Sequence, residues 1–263
     1  RNTARYMLGN LDGFDPNRQV APDDMTDLDR WAVSRLGKLA HTCREAYHSY
    51  EFHLAYRAIY NFCVVEMSNF YLDIIKDRLY CGDAAGRASA QTALYTILDG
   101  MTRLVAPVLA FTSDEIWEAM PHAAGDNGES VLLNDMPDFD PAFALSEEEE
   151  ARWAGVMALR DDVNKALELA TEQGVKKNQD ADLTLTFTEE AWKAFESLRM
   201  DEAELAAICI VSAVRVAQGQ GEGYQGEFFE GMTVKVSPAA GEKCPRCWNH
   251  DVHIGTAGHH AEL

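Results

Sequence analysis

Apolar side chains recur at steps of three and four along roughly the first 120 residues, which is the spacing of helices with one buried face. The segment from about Thr26 to Tyr50 follows this pattern, and a second segment from about Glu51 to Leu79 repeats it. A third helix is predicted from Ala88 to about Val105, ahead of the break at Pro107. The pattern therefore predicts a helical bundle.

Two helix starts carry the spacing of a capping box, in which a Ser or Thr side chain and a Glu three residues later satisfy each other's backbone N–H groups. Thr112 and Glu115 predict a short helix that runs up to Pro121. Ser146 and Glu149 predict the start of a long helix, which the acidic run "EEEE" favours at its positive end.

The period changes after residue 174. Leu183, Leu185 and Phe187 alternate with threonines, as in a strand with one exposed face. The stretch "EEAWKAFESLR" predicts a short helix, "AICIVSAVRVA" a buried strand, and "GMTVKVSPA" another strand. These elements predict a small α/β layer.

The predicted domain organisation follows these changes of pattern. Residues 1–125 form the helical bundle, 126–145 a linker rich in Gly, Asp and Pro, 146–238 the small α/β domain, and 239–263 a terminal segment. The fold class is therefore predicted to be mainly α.

The chain is strongly acidic, with 43 Asp and Glu against 23 Lys and Arg and a formal net charge of -20 over 263 residues. Since Lys and Arg supply most non-specific affinity for nucleic acid, the protein is not expected to wrap nucleic acid by bulk electrostatics. The given sequence shows neither the pattern of a signal peptide nor an apolar run long enough to span a bilayer, and a cytoplasmic protein is expected. The six cysteines are too scattered for a disulfide framework.

Cys244 and Cys247 form the only closely spaced cysteine pair, and C-x-x-C is a spacing at which two thiolates bind one zinc ion. Tetrahedral zinc needs two more ligands. Either downstream histidines supply them, or they lie beyond Leu263. A redox role is disfavoured because no thioredoxin-like βαβ context surrounds the pair. The candidate histidines are His250, His253, His259 and His260.

Four stretches carry a resemblance to one family. They are "RNTARYMLGNLDGFDP" at the start, "SNFYLDIIKDRLY" at 68–80, "PVLAFTSDEIWEAMP" at 107–121, and "KCPRCW" at 243–248. Together they resemble the C-terminal part of bacterial isoleucyl-tRNA synthetases. The third stretch is shared with valyl, leucyl and methionyl enzymes, so valyl and leucyl enzymes stay as alternatives.

The resemblance implies a class I synthetase anticodon-binding helical bundle, followed by a small α/β domain and a truncated zinc knuckle. In that family a second C-x-x-C follows the first, which favours a knuckle that is incomplete here over a site completed by histidines. The intact enzyme would activate isoleucine with ATP and Mg²⁺ and esterify it to tRNA(Ile), acting as a monomer. Neither "HIGH" nor "KMSKS" occurs, so no catalytic residue is assigned and this part is expected to be inactive alone.

Arg246 and Trp248 flank Cys247 and are the candidate RNA-binding residues. A guanidinium and an indole held beside a metal site can stack on unpaired bases of an RNA loop. The resemblance implies the anticodon loop as the target. The alternative is that Trp248 packs the knuckle against the α/β layer and Arg246 is solvated.

Two further interpretations concern the bundle. A polar stripe could follow the RNA backbone through phosphate contacts, although such a stripe is more often only the solvated side of a helix. Within 68–80, Phe70, Ile74 and Ile75 are expected in the core, and Tyr71 and Tyr80 at its boundary. The stripe comprises Arg30, Ser34, Lys38 and His41, with Arg57, Lys76 and Arg78 on the next helix.

A rival of a different class is a non-enzymatic, zinc-stabilised interaction module, or a DNA-binding finger like that of formamidopyrimidine glycosylases. The stretch "CPRCW" fits such a finger locally. This alternative leaves the large helical bundle unexplained.

Overall fold

A computed structural model describes residues 1–171, 175, 177–245 and 247–254. The chain divides into two compact units, Arg1–Leu145 and Ser146–Leu263. Among the described helices, none is both long and apolar enough to cross a membrane.

The first unit is helical, and its core lies where α2 packs against α3 and α6. Gly100 permits the close approach of α6 to α2, since a Cβ there would lie 2.8 Å from Leu36 Cδ2. The helices are α1 (Asn2–Gly9), α2 (Asp27–His48), α3 (Phe52–Asn61), a π-helical segment (Phe62–Tyr71), α4 (Leu72–Ile74), α5 (Lys76–Cys81), α6 (Ala84–Val105) and α7 (Ala110–Ala119).

The helix predicted from Glu51 to Leu79 is helical along its length but is not a single α-helix. Its middle, Phe62–Tyr71, is π-helical, and α4 and α5 follow as separate short pieces. A π-helical turn is wider than an α-helical turn and shifts the buried face. Phe70 and Tyr71, at the end of this segment, are both buried.

One predicted capping box is confirmed and the other is wrong. Ser146 N–H donates to Glu149 Oε2 at 2.7 Å, and Glu149 N–H donates to Ser146 Oγ at 3.2 Å. In contrast, α7 begins at Ala110, so Thr112 lies inside it. Glu115 instead pairs with Arg1, a partner that is distant in sequence.

Asp29, fully buried on α2, joins three helical segments. Arg78 donates to both of its carboxylate oxygens, at 2.9 and 2.6 Å. Tyr71 Oη donates to Oδ1 at 2.7 Å, and Ser89 Oγ donates to Oδ2 at 2.6 Å. Burial, with the Asp29 charge second, raises the pKa of Tyr71 well above its usual value.

This network corrects two expectations. Tyr71 is fully buried and is not a boundary residue, because its hydroxyl has a partner in the interior. Arg78 does not belong to a solvated basic stripe, because its guanidinium binds Asp29. The core assignment of Phe70, Ile74 and Ile75 is confirmed, and Tyr80 is exposed.

Residues 126–145, expected to form a linker, are grouped with the first unit. Asp126 accepts a hydrogen bond of 2.7 Å from Arg103 Nη2, and Asn127 O accepts one of 3.0 Å from Trp117 Nε1. These contacts attach the start of the segment to α6 and α7. The domain boundaries given above stay a prediction.

In the described residues, the second unit contains one long helix, two short helices and a four-stranded sheet in the order β2-β1-β4-β3. Strand β1 is parallel to β2 and antiparallel to β4, and a separate hairpin joins β5 to β6. The elements are α8 (Glu147–Thr171), β1 (Ala181–Phe187), α9 (Glu189–Ser197), α10 (Glu202–Cys209), β2 (Ala213–Gln218), β3 (Tyr224–Gln225), β4 (Met232–Pro238), β5 (Glu242–Lys243) and β6 (His250–Asp251).

The alternating pattern of β1 is confirmed, since its odd-numbered residues are buried. The strand predicted over "AICIVSAVRVA" is wrong in its first half. Residues up to Cys209 belong to α10, which starts at a capping box formed by Asp201 and Glu204. Ile210, with a φ of 56°, ends that helix, and the strand begins at Ala213.

A second fully buried carboxylate, Asp162 on α8, fixes the loop between β3 and β4. It accepts hydrogen bonds from three consecutive backbone N–H groups, those of Glu227 at 2.8 Å, Phe228 at 3.0 Å and Phe229 at 2.7 Å. This arrangement holds the exposed Phe228 ring at the tip of the loop.

The Asp29→Ala variant is predicted to lose about 3–5 kcal/mol of stability, because it leaves the partly buried Arg78 charge and the buried Tyr71 and Ser89 hydroxyls without their carboxylate. Urea denaturation followed by circular dichroism at 222 nm measures this. Asp138→Ala is the matched control, because Asp138 pairs with Arg44 at the surface and its loss should cost less than about 1 kcal/mol. Equal losses in the two variants would contradict the importance of the buried network.

Candidate nucleic-acid interface and metal ligands

The candidate site lies on the hairpin of β5 and β6. Its strands pair Glu242 with Asp251 and Lys243 with His250. The turn between them is closed by two backbone hydrogen bonds of 2.9 Å, from Cys244 N–H to Asn249 O and from Trp248 N–H to Cys244 O. The turn therefore brings Cys244 and Trp248 together.

Trp248 has an unusual backbone conformation, with a φ of 70°. A bulky residue in this left-handed region is strained by roughly 1–3 kcal/mol, and such strain persists only where the surrounding structure enforces it. Its side chain is 51% exposed, so the ring is not a core residue of the α/β layer. Lys177 Nζ lies 4.6 Å from the centroid of the ring. Arg246 lies outside the described residues.

The hairpin is attached to the rest of its unit by side chains outside it. His250 N–H donates to Ser212 Oγ at 2.7 Å. Asp180 pairs with Lys243, and its Oδ1 lies 3.3 Å from His250 Nε2. The hydrogen bond from Lys243 holds the pKa of Asp180 below its usual value, and His250 contributes in the same direction.

The cysteine pair fits two ligands of a zinc site. Cys244 is buried and Cys247 is half-buried, both within the closed turn, and thiolates are preferred zinc ligands. Across 1–171, 175, 177–245 and 247–254, no group of three or more His, Cys, Asp or Glu could hold a metal ion. The described part of the chain thus offers the first pair of ligands only.

The histidines that form the alternative ligand set differ in their surroundings. Both ring nitrogens of His250 have partners, with Nδ1 3.2 Å from Gly241 O and Nε2 near Asp180. His253 Nδ1 lies 2.9 Å from Asp251 Oδ1. His259 and His260 lie outside the described residues.

Residues 29–185 match the family model described as the anticodon-binding domain of tRNA ligase. The chain belongs to this family. Residues 241–263 match a second model, described as a zinc finger found in FPG and IleRS. The second match covers the cysteine pair and supports zinc as the metal. A finger module alone is excluded by the first match, which accounts for the bundle.

Curated relatives agree with this assignment. The chain is 46% identical over 266 residues to an isoleucine–tRNA ligase of Syntrophotalea carbinolica and 45% identical to one of Geobacter sulfurreducens. It is 40% identical to one of Desulforudis audaxviator. Each alignment covers 100% of this chain and 28% of the relative, so the chain spans about 28% of the relatives' length. The predicted resemblance and fold class are confirmed.

The polar stripe of the bundle is interrupted by residues that contact other parts of the same chain. Ser34 is buried, Arg78 binds Asp29, and Lys76 pairs with Asp73. Arg57 and His41 are exposed. The stripe is therefore not a continuous basic surface.

Sequence reasoning missed two side chains that lie against the hairpin, Lys177 and Asp180. A signal was present, because the basic pair in "VKKNQD" stands directly before β1 in an otherwise acidic chain.

The remaining cysteines do not resemble the pair in the hairpin. Burial raises the pKa of Cys43 to about 11 and that of Cys209 to about 12. Burial also raises the pKa of Cys63, whose Sγ lies 3.8 Å from Met101 Sδ. Cys81 is exposed.

Timed alkylation with iodoacetamide at pH 8 is predicted to label Cys81 first and to leave Cys43 and Cys209 unlabelled in the folded protein. Because the pKa values of the buried thiols are raised, they stay protonated at pH 8, and the thiolate is the reactive form. Peptide mass spectrometry reads out each site. Labelling of Cys43 or Cys209 as fast as Cys81 would contradict their burial.

Proposed function

We propose that this chain is the tRNA-recognition portion of an isoleucine–tRNA ligase. The single observation that carries the proposal is the similarity of the whole chain to isoleucine–tRNA ligases, which agrees with the anticodon-binding family match. The ATP- and Mg²⁺-dependent activation of isoleucine and its transfer to tRNA(Ile) belong to the part of the relatives that this chain does not cover. The protein acts in the cytoplasm as a monomer.

In this proposal the hairpin contacts the anticodon loop. Trp248 offers a half-exposed indole on which an unpaired base can stack, and Arg246 stands two residues away with a planar guanidinium. Local stacking suits an acidic protein, because it does not depend on a broad basic surface. Binding far from the reacting atoms still raises the rate when it orients the tRNA end in the transition state.

Cys244 and Cys247 are the proposed zinc ligands. Bound zinc would act as a structural clamp on the turn and would supply no chemistry to the ligase reaction. The two thiolates lie on either side of residues 245 and 246, so the clamp would fix the backbone that carries Arg246 and Trp248. His250 is not proposed as a ligand, because both of its ring nitrogens already have partners.

Trp248→Ala is predicted to weaken tRNA(Ile) binding by about 1–3 kcal/mol, or roughly 5- to 150-fold, because one stacked base is lost. Gel-shift titration at low salt measures the dissociation constant, with a tRNA(Ile) transcript and one with an altered anticodon. The parent chain should prefer the unaltered transcript.

The matched control for this variant is Phe228→Ala. Phe228 is 54% exposed, and Lys165 Nζ lies 4.6 Å from its ring centroid, as Lys177 Nζ does from Trp248. Phe228→Ala should bind like the parent chain. Equal, weak binding of both transcripts, or equal effects of the two variants, would contradict anticodon recognition by the hairpin.

Substitution of Cys244 or Cys247 by Ser is predicted to weaken metal binding, whereas His250→Ala and Cys81→Ser should leave it unchanged. Cobalt(II) titration is a suitable probe, because thiolate ligation gives a strong charge-transfer absorption. The absorption should fall sharply in either hairpin cysteine variant, because only one thiolate ligand of the pair remains. Its loss in His250→Ala, with the circular dichroism spectrum unchanged, would show that the proposed ligand set is wrong.

A further inference from the structure

The β5–β6 hairpin is too short to hold Trp248 by itself. Its ladder contains two residue pairs, and even a longer isolated hairpin is marginally stable in water. Trp248 nevertheless keeps a strained backbone with its ring over Lys177. Contacts from outside the hairpin must therefore contribute to the orientation of Trp248.

Asp180 makes the most direct of these contacts. Its carboxylate pairs with both Lys243 and His250. These two residues face each other across the hairpin, so one carboxylate holds both strands at the same rung. Ser212 adds a second point of attachment, since its Oγ accepts from His250 N–H and donates to Gln179 O at 2.5 Å.

Asp180 is itself well anchored. It ends a short 3-10 turn, Asn178–Asp180, and is followed directly by β1, the buried strand between β2 and β4. Its own N–H donates to Lys177 O, and its carbonyl accepts from Ala239 N–H, both at 2.9 Å. A residue held on the scaffold in this way can fix the geometry of a binding site.

Lys177 directly precedes the same turn, and its side chain lies against Trp248. Its ammonium lies over one face of the Trp248 ring, which is a favourable cation–π geometry. A base stacked on the ring carries a backbone phosphate on either side, and an ammonium 4.6 Å from the ring centroid is a suitable partner for one of them. Lys165 over Phe228 has the same distance but is paired with Glu227 at 2.6 Å, whereas no ion pair of Lys177 occurs among the described residues.

We propose that residues 177–180 are the second half of the RNA-binding platform, in which Asp180 positions the hairpin and Lys177 contacts the RNA backbone beside the base stacked on Trp248. This inference rests on the proposed function. It adds an RNA-contacting residue and a positioning residue that lie outside the zinc-finger match at 241–263.

The role of Lys177 is tested by the salt dependence of binding. Dissociation constants of the whole chain for the tRNA(Ile) transcript are measured over a series of KCl concentrations. Lys177→Ala should weaken binding several-fold and reduce the slope of log K against log salt by about 1, because one phosphate contact is lost. Lys165→Ala is the control, because Lys165 Nζ lies at the same distance from the Phe228 ring as Lys177 Nζ does from the Trp248 ring. It should change neither the affinity nor the slope. An unchanged slope and affinity in Lys177→Ala would overturn the assignment.

The role of Asp180 is tested by a different pair of readouts. Asp180→Asn should weaken binding several-fold without changing the salt slope, because it removes no phosphate contact. Asp180→Glu should restore part of the affinity. In chain labelled with ¹⁵N-tryptophan, the Trp248 indole signal is identified among five by its loss in Trp248→Phe. That signal should sharpen in Asp180→Asn as the ring becomes mobile, while the other four stay in place.

Glu227→Gln is the control for loss of a surface ion pair in the same unit, and it should leave affinity and the Trp248 signal unchanged. If Asp180→Asn leaves both the Trp248 signal and the affinity as in the parent chain, Asp180 does not position the hairpin. If Trp248→Ala itself binds tRNA normally, the proposed function fails. If Trp248→Ala weakens binding and the Lys177 and Asp180 variants do not, only the role of the turn is wrong.

Discussion

Both units of this protein depend on the requirement that a buried carboxylate have its hydrogen bonds satisfied from inside the fold. Asp29 meets it with Arg78, Tyr71 and Ser89, which come from three different parts of the bundle. Asp162 meets it with three successive backbone N–H groups of one loop. In each case a single side chain fixes segments that are far apart in sequence.

The same requirement limits how the protein can bind RNA. The chain has few cations for its size, and those of the bundle largely serve its own carboxylates. Arg35 binds Glu66, Arg78 binds Asp29, and Arg103 binds Asp99 and Asp126. A surface of this kind does not attract phosphates broadly. Recognition is therefore expected to concentrate where an exposed aromatic ring meets a cation that has no ion pair among the described residues, as Trp248 meets Lys177 at the hairpin.

Local pattern predicts the parts of the fold that local interactions determine. The helix α2, the strand β1 and the capping box at Ser146 follow from spacing alone. The pattern at 207–209 predicts a strand where the structure has the end of α10, because periodicity does not distinguish a short buried helix from a buried strand. The capping pair of Asp201 and Glu204 carried the missing information.

In the candidate site too, the sequence predicts features that depend on neighbouring residues and misses contacts between distant ones. The spacing of Cys244 and Cys247 is a local signal, and the sequence alone identified it. The contacts of Lys177 and Asp180 join residues about 60 to 70 positions apart, as does the link from Asp29 to Ser89. Such pairs depend on how the sheet and the bundle assemble, so no short window of sequence contains them.

The structure of this chain bound to the anticodon stem-loop of tRNA(Ile) tests the account most directly. We expect an unpaired base stacked on the Trp248 face opposite Lys177, a backbone phosphate near Lys177 Nζ, and Asp180 still paired with Lys243 and His250. RNA bound through another surface, with the Trp248 ring free of contact, would contradict it.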